Sequence, residues 1–502
     1  MSLATINTQT LNGVTPIAVT VEVHISNGLP ALAIVGLPEA AVRESKDRVR
    51  AAIINSGFEF PARRITVNLA PADLPKDGGR YDLPIAIGIL AASKQIPDKA
   101  LPQLEFHGEL ALSGELRPVS GSLPIALGAK QLQHTLVLPV ASAELAALIN
   151  EADIFQANSL LEVCSYLHQQ CDLQRPKSTL PITNHHTLDI SDVKGQHRAK
   201  RALEIAAAGR HNIIMVGPPG TGKTMLASRL PALLPALTEQ QAIQSAAICS
   251  ISNHGFDIKN WKQRPFRAPH HTASGVALVG GGPNPRPGEI SLAHNGVLFL
   301  DELTEFDRHT LDVLREPLET GKISISRAAR QAEFPANFQL IAAMNPCPQG
   351  YSCDGKSLCQ CTAEQQRKHR SRISAPLLDR IDIHIEVPSV DRHALSQISE
   401  NPETNLEVKQ RINHAYQIQI KRNGKSNAEL SSRETEIHCK LDAAETNLLE
   451  QAMEKLKLSA RAYHRILRMS RTIADLDNSE KIQSQHLSEA ISYRSLDRFM
   501  GG

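Results

Sequence analysis

The chain has 502 residues, a net formal charge of +2, 41% hydrophobic and 21% charged residues. These values exclude an intrinsically disordered chain and a uniformly basic nucleic-acid binder, and they allow roughly two to four domains with cores of their own. An aromatic share of 4% also leaves few rings for stacking on bases, so any nucleic-acid contact is expected from local basic patches.

The N-terminal residues Met1 to Asn7 show no basic stretch followed by an apolar run, so no signal peptide is expected. Residues 1–172 mix short β-rich runs, such as Ile17 to Val23 and Ile65 to Leu69, with helical patterns such as Ala40 to Ser56. That mixture predicts an α+β domain. The longest apolar stretch, Leu83 to Ala92, is too short to span a membrane, and a cytoplasmic location is the default expectation. Residues 173–186 are polar and carry Pro176 and Pro181, as a linker would. From 187 to 390 strands and helices alternate, and from 391 to 502 the pattern is helical, with Leu441, Leu448, Leu449, Ala452, Met453 and Leu456 mostly on one face. Further helices are predicted over 460–476 and 485–495.

Gly217-Pro218-Pro219-Gly220-Thr221-Gly222-Lys223-Thr224 satisfies the phosphate-loop pattern in full. An apolar strand, Asn212 to Val216, precedes it, and a helix from Met225 to Leu230, ended by Pro231, is predicted to follow. Glycines let backbone N–H groups curl around phosphates, and the helix N-terminus adds a favourable dipole. Lys223 would reach the β- and γ-phosphates of a nucleoside triphosphate, and the Thr224 hydroxyl would bind Mg²⁺. Gly296 to Leu300 then forms a buried strand ending in Asp301 and Glu302, the place where an α/β sheet carries its chemistry. Asp301 would hold Mg²⁺, and Glu302 would orient and deprotonate the attacking water. The strand Phe338 to Met344 ends in Asn345, a neutral donor between water and γ-phosphate.

Cys347, Cys353, Cys359 and Cys361 crowd into one window. Their C-x5-C-x5-C-x-C spacing is no standard finger or ribbon, and both a structural zinc and a loop of thiols fit it. Two stretches offer phosphate donors: Lys322 to Arg330, a strand and turn bearing Lys322, Arg327 and Arg330, and Arg367 to Arg372. A solvated face explains either equally well. Arg380, in Leu377-Leu378-Asp379-Arg380, can serve a neighbouring subunit's γ-phosphate or pair internally with Asp379 or Asp382. Arg461 opens a helix that also carries Arg465, Arg468 and Arg471, and either contacts phosphate from a helical lid or is solvated.

In this order the motifs resemble an AAA+ ATPase of the magnesium-chelatase-like group, specifically the ComM/YifB family of bacterial competence proteins. Val193-Lys194-Gly195-Gln196, Ala199 to Gly209, Phe266 to Ser274, Pro287 to His294, Met344 to Pro348 and Arg471 to Leu476 carry the resemblance, which covers essentially the full chain. It implies an N-terminal Lon-protease-like (ribosomal-S5-domain-2-like) α+β domain, an AAA+ phosphate-loop core and a C-terminal helical lid. By the same resemblance Gly195 and Gln196 flank adenine, Arg380 is a trans-acting finger, Arg461 is the lid sensor, and the assembly is a homo-hexameric ring. Where Lon carries its serine and lysine this chain has Arg80 and Pro124, so no nucleophile can be activated and proteolysis is excluded. The family's Cys-Pro-Cys-Gly is here Cys347-Pro348-Gln349-Gly350, so a zinc site would need Cys353. The resemblance implies an ATP- and Mg²⁺-dependent motor on single-stranded, branched or duplex DNA, a helicase promoting branch migration in natural transformation. A chelatase-type motor subunit that remodels a protein partner is the alternative.

Overall fold

The computed structural model describes residues 2–177, 188–282, 284–327, 330–351, 359–389, 403–456 and 458–494. They fall into two compact units: Met1–Thr183 with Ala242–Trp261, and Asn184–Gln241 with Lys262–Gly502. The return of Ala242–Trp261 to the first unit has no signal in composition.

The first unit is built on a seven-stranded mixed sheet. Ser2–Asn12 and Thr15–Ser26 form a long antiparallel hairpin, and Arg64–Ala70 pairs antiparallel beside it. Ala31–Val35 closes one edge in parallel, while Leu104–Phe106, Thr135–Pro139 and Ile154–Ala157 extend the other. Alternation decides which side is dry: Val19, Val21, Val23 and Ile25 are buried and their neighbours less so. Helix Asp82–Ala92 packs on this hairpin with every residue buried, which is why its sequence is apolar all round. Its first residue, Asp82, is held by Arg48 through Nε and Nη2 at 2.7 and 3.0 Å. Just before it, Arg80 Nη2 donates to Ser120 O at 3.3 Å, and Pro124 lies in helix Ser122–Leu132. A guanidinium and an imino acid, neither of them a nucleophile, thus stand on neighbouring segments of this unit.

The second unit holds a five-stranded, all-parallel sheet in the order Phe266–Arg267, Val297–Leu300, Gln339–Met344, Ile213–Val216, Ile383–Glu386. The last four strands are buried along nearly their entire length, so they read as continuous apolar runs. Helices His197–Gly209 and Lys223–Leu233 pack beside it within one core. The latter does not stop at Pro231 as the sequence predicts. Proline removes one helical donor, but Leu234 N–H still reaches Leu230 O at 3.2 Å, and buried Leu230 and Leu233 anchor the final turn.

C-terminal helices Asn405–Asn423, Ser432–His438, Ala443–Leu456, Ala460–Leu476 and Ser484–Ser492 complete the unit as a helical lid. Leu449 is buried, with Leu441, Leu448 and Met453 packed against the core, as the predicted face requires. Ala460–Leu476 starts at Ser459, whose side chain accepts from Ala462 N–H, and buries Ile466, Leu467, Met469, Ile473 and Ala474. Lys322–Arg327 and Arg330–Pro335 form an antiparallel hairpin with Ile323, Ile325, Ala332 and Phe334 buried. Among the described residues no helix is long and apolar enough to cross a membrane.

A Cβ at Gly88, in the buried helix of the first unit, would stand 2.5 Å from Cγ2 of fully buried Val23. Replacing glycine by alanine in an open helix gains about 1 kcal/mol, whereas overpacking a tight core costs about 1–3 kcal/mol. The overpacking term wins, so Gly88→Ala is expected to lower the melting temperature in calorimetry; an unchanged or higher value contradicts this packing.

Candidate nucleotide-hydrolysis site

The phosphate loop follows strand Ile213–Val216 at the C-terminal edge of the parallel sheet, where such sheets bind ligands. Gly217 is required by space, because a Cβ there would lie 2.2 Å from Val387 O. Gly222, at φ 88°, turns the chain into helix Lys223–Leu233, and no side chain caps that helix. Its first N–H groups are therefore available to an anion.

Lys223 is nearly buried, and its Nζ donates to Gly217 O at 2.7 Å, Pro218 O at 2.8 Å and Asn345 Oδ1 at 3.2 Å. Burial lowers its pKa from the ordinary lysine value, while Asp301 and Glu302 pull the other way. Thr224 Oγ1 donates to Asp301 Oδ2 at 2.6 Å, bringing two hard oxygen donors together, a set that suits Mg²⁺. Glu302 N–H donates to Asp301 Oδ1 at 2.9 Å, and Glu302 itself sits at φ 50°, a conformation costly for a residue with a Cβ. The structure thus gathers Lys223, Thr224, Asp301, Glu302 and Asn345 at one sheet edge. Gln196, directly after Gly195, joins them: its Nε2 donates to Pro388 O at 2.7 Å and to Thr221 O of the loop at 3.4 Å.

His271 is a neighbour that sequence reasoning left without a role. Its Nδ1 lies 3.1 Å from Glu302 Oε2, on the loop after strand Phe266–Arg267, which pairs with the Val297–Leu300 strand. A few residues earlier Arg267 makes a two-pronged pair with Glu289, at 2.6 and 2.7 Å, and ties that loop down. The available signal was the histidine pair within Phe266 to Ser274, which strand pairing alone brings to the acid.

Arg380 and Arg461 are not brought to this loop. They line a cavity of about 550 Å³ together with Asn212, Asn337 and Asp382. Asn212 and Asp382 immediately precede their strands and Asn337 comes two residues before its own, so the cavity lies at the N-terminal edge of the sheet. A four-residue strand at ~3.3 Å per residue puts that edge about 13 Å from the loop. Arg380 pairs internally, but with Glu319 rather than Asp379 or Asp382, and donates from Nη1 to Pro376 O at 2.7 Å. Asp382 is taken by Arg465 and His211, which hold its carboxyl well below the usual range despite burial. Arg461 lines the same cavity as Arg380 and so lies away from its own chain's Lys223.

Cys347, Cys359 and Cys361 have sulfurs all within 4.8 Å of one another; Cys353 lies outside the described residues. The run Arg367 to Arg372 is no uniform patch, since His369 is buried on Asn345 O and Arg372 Nη1 donates to Thr304 O at 2.7 Å. Lys322 is paired across its hairpin with Glu333 at 2.7 Å; the side chains of Arg327 and Arg330 lie outside the description.

Family models match three parts of the chain: "Magnesium chelatase, subunit ChlI" over residues 189–395, "Subunit ChlI of Mg-chelatase" over 21–142, and "Magnesium chelatase, subunit ChlI C-terminal" over 402–494. The chain is 50% identical to competence protein ComM of Haemophilus influenzae, covering 100% of this chain and 99% of that protein. It is 50% identical to YifB of Escherichia coli, covering 100% and 98%. Over 41% of its length it is 26% identical to DNA replication licensing factor mcm6 of Schizosaccharomyces pombe, of which 23% is covered.

If the Glu302 carboxylate that His271 touches takes part in ATP hydrolysis, His271→Ala should lower kcat about tenfold and leave KM nearly unchanged, the pattern of a lost transition-state interaction. Steady-state phosphate release measures both; an unaltered kcat removes His271 from the site.

Proposed function

The chain belongs to the ComM/YifB family of magnesium-chelatase-like AAA+ proteins, and on that premise we propose that it is an ATP-hydrolysing ring motor that moves on DNA. The gathering of Lys223, Thr224, Asp301, Glu302 and Asn345 at one sheet edge is the observation that carries this reading.

Lys223 and the uncapped helix N-terminus hold the phosphates, and Gly195 and Gln196 flank the base. Thr224 and Asp301 would hold Mg²⁺, which would neutralise phosphate charge there. Glu302 accepts the proton of the attacking water, and His271 keeps that carboxylate in place. Asn345 bridges the reacting end of the site to Lys223. Lys223 is the cation this edge supplies itself, and a second one for the charge developing on the γ-phosphate would come from Arg380 or Arg461, which lie on the other edge. A neighbouring subunit must present them, which supports a ring, a homo-hexamer in this family.

The DNA substrate is supported by the competence role in the name of the H. influenzae relative and by the likeness to a replication licensing factor. We assign the ring to branch migration of homologous strands during natural transformation. The hairpin around Arg327 and Arg330, with Arg367 and Lys368 exposed on their helix, would touch the phosphate backbone. By donor chemistry the three thiols of Cys347, Cys359 and Cys361 suit zinc.

Two experiments test this. On three- and four-way junctions the chain should displace strands with ATP, and Glu302→Gln should bind ATP without turnover; ring assembly with neither junction movement nor DNA-stimulated hydrolysis favours a motor that remodels a protein partner. Lys223→Ala and Arg380→Ala chains should each be inactive, yet mixed rings should recover part of the ATPase, because some interfaces then carry both intact halves. Mixing without recovery contradicts a finger acting between subunits.

A further inference from the structure

We infer that a zinc-type ion held by Cys347, Cys359 and Cys361 acts as a clip that keeps the Asn345 amide aimed at the phosphate loop. This deepens the metal reading above and rests on it.

The sulfurs are already arranged for an ion. With Zn–S bonds near 2.3 Å, two sulfurs of a tetrahedral site stand about 3.8 Å apart. Cys347 and Cys359 are 3.5 Å apart, and Cys361 completes a triad within 4.8 Å. A disulfide would use two of these sulfurs, whereas a tetrahedral ion would use all three and leave one position for a further donor. Cys361 N–H also points at Cys359 Sγ at 3.5 Å, a donor that favours a thiolate. Gln349, where the family's second cysteine would stand, accepts from Gln360 N–H at 3.0 Å and closes the same turn without a thiol. The Cys347 thiol donates to Tyr351 O at 3.2 Å, a proton that the ion would displace.

Both ends of this knuckle bear on the nucleotide site. Cys347 is buried two residues beyond Asn345, whose Oδ1 accepts from Lys223 Nζ. At the turn after Cys347, a Cβ on Gly350 would come within 3.1 Å of Cδ of Pro219 in the phosphate loop. At the far end, Thr362 follows Cys361 directly and caps helix Ala363–Arg370. About two turns further on, near the end of that helix, His369 Nε2 donates back to Asn345 O at 3.2 Å. Asn345 is therefore fixed from its side chain by Lys223 and from its carbonyl by a helix that starts at the thiols. Joining Cys347 to Cys359 and Cys361 closes that circuit, and the cysteines serve as positioning residues rather than catalytic ones.

The full-length chain, purified in reducing buffer, should contain one zinc by elemental analysis, and Cys359→Ser should lack it. Cys359→Ser and Asn345→Ala should each lower kcat for ATP about tenfold with nucleotide affinity held within about twofold, and the double variant should fall no further, as residues acting through one another behave. Stripping wild-type protein with a chelator should reproduce the loss, and Zn²⁺ should restore it, which separates the effect from misfolding of a substituted chain. A chain without zinc, with three thiols open to a disulfide reagent or with Cys347 and Cys359 oxidised together, overturns the site itself. Zinc present in wild type, with the two losses multiplying in the double variant, overturns the clip and leaves the metal reading intact.

Discussion

A parallel sheet has two chemically different edges, and the direction of its strands decides which groups can meet. Here Ile213–Val216, Val297–Leu300 and Gln339–Met344 all run the same way, so the loop, the paired acids and the amide that follow them emerge together. The residues that enter the strands, Asn212, Asn337 and Asp382, face the opposite direction and frame the arginine-rich cavity. No side-chain rotation can exchange the two sets. A hydrolytic site that needs both must be assembled from more than one copy.

Within the loop edge, polar contacts do the work of apolar packing. Lys223 is nearly buried, which costs heavily unless oxygens surround it; two loop carbonyls and Asn345 supply them. That arrangement makes the end of the Gln339–Met344 strand part of the lysine's solvation shell. At the other edge Arg380 is restrained by Glu319 in a pair that is mostly exposed on the acid's side. The guanidinium itself is largely buried and also donates to Pro376 O, so moving it would break both contacts.

Much of this was legible in the sequence because it is local. The glycine spacing of Gly217 to Thr224, the apolar run into Asp301 and Glu302, and the helical periods over 441–456 and 460–476 each depend on residues close in the chain. What was not legible depends on long-range pairing. His271 meets Glu302 only because Phe266–Arg267 lies beside Val297–Leu300. Arg380 finds Glu319, 61 positions away, rather than its acidic neighbours Asp379 and Asp382, because the short helix ending at Leu378 turns it toward the cavity. Pro231 fails to stop its helix since buried Leu230 and Leu233 outweigh one lost donor. Arg461 carries no local mark of the edge it occupies; only the strand directions reveal it.

The segment Ala242–Trp261 belongs to the first compact unit although it lies between the phosphate-loop helix and the Phe266–Arg267 strand. Within that unit Gly121 N–H donates to Ser250 O at 3.2 Å, and a side chain at Gly121 would collide with Leu11 and crowd Ile251. The polypeptide thus visits the first unit, leaves it, and returns for about twenty residues. For a gene this means that neither unit is a cassette: a single crossover near codon 180 would deliver one unit missing a piece and another carrying a stranger's helix. Inheritance of the two halves together, as one coding block, is built into the path of the chain.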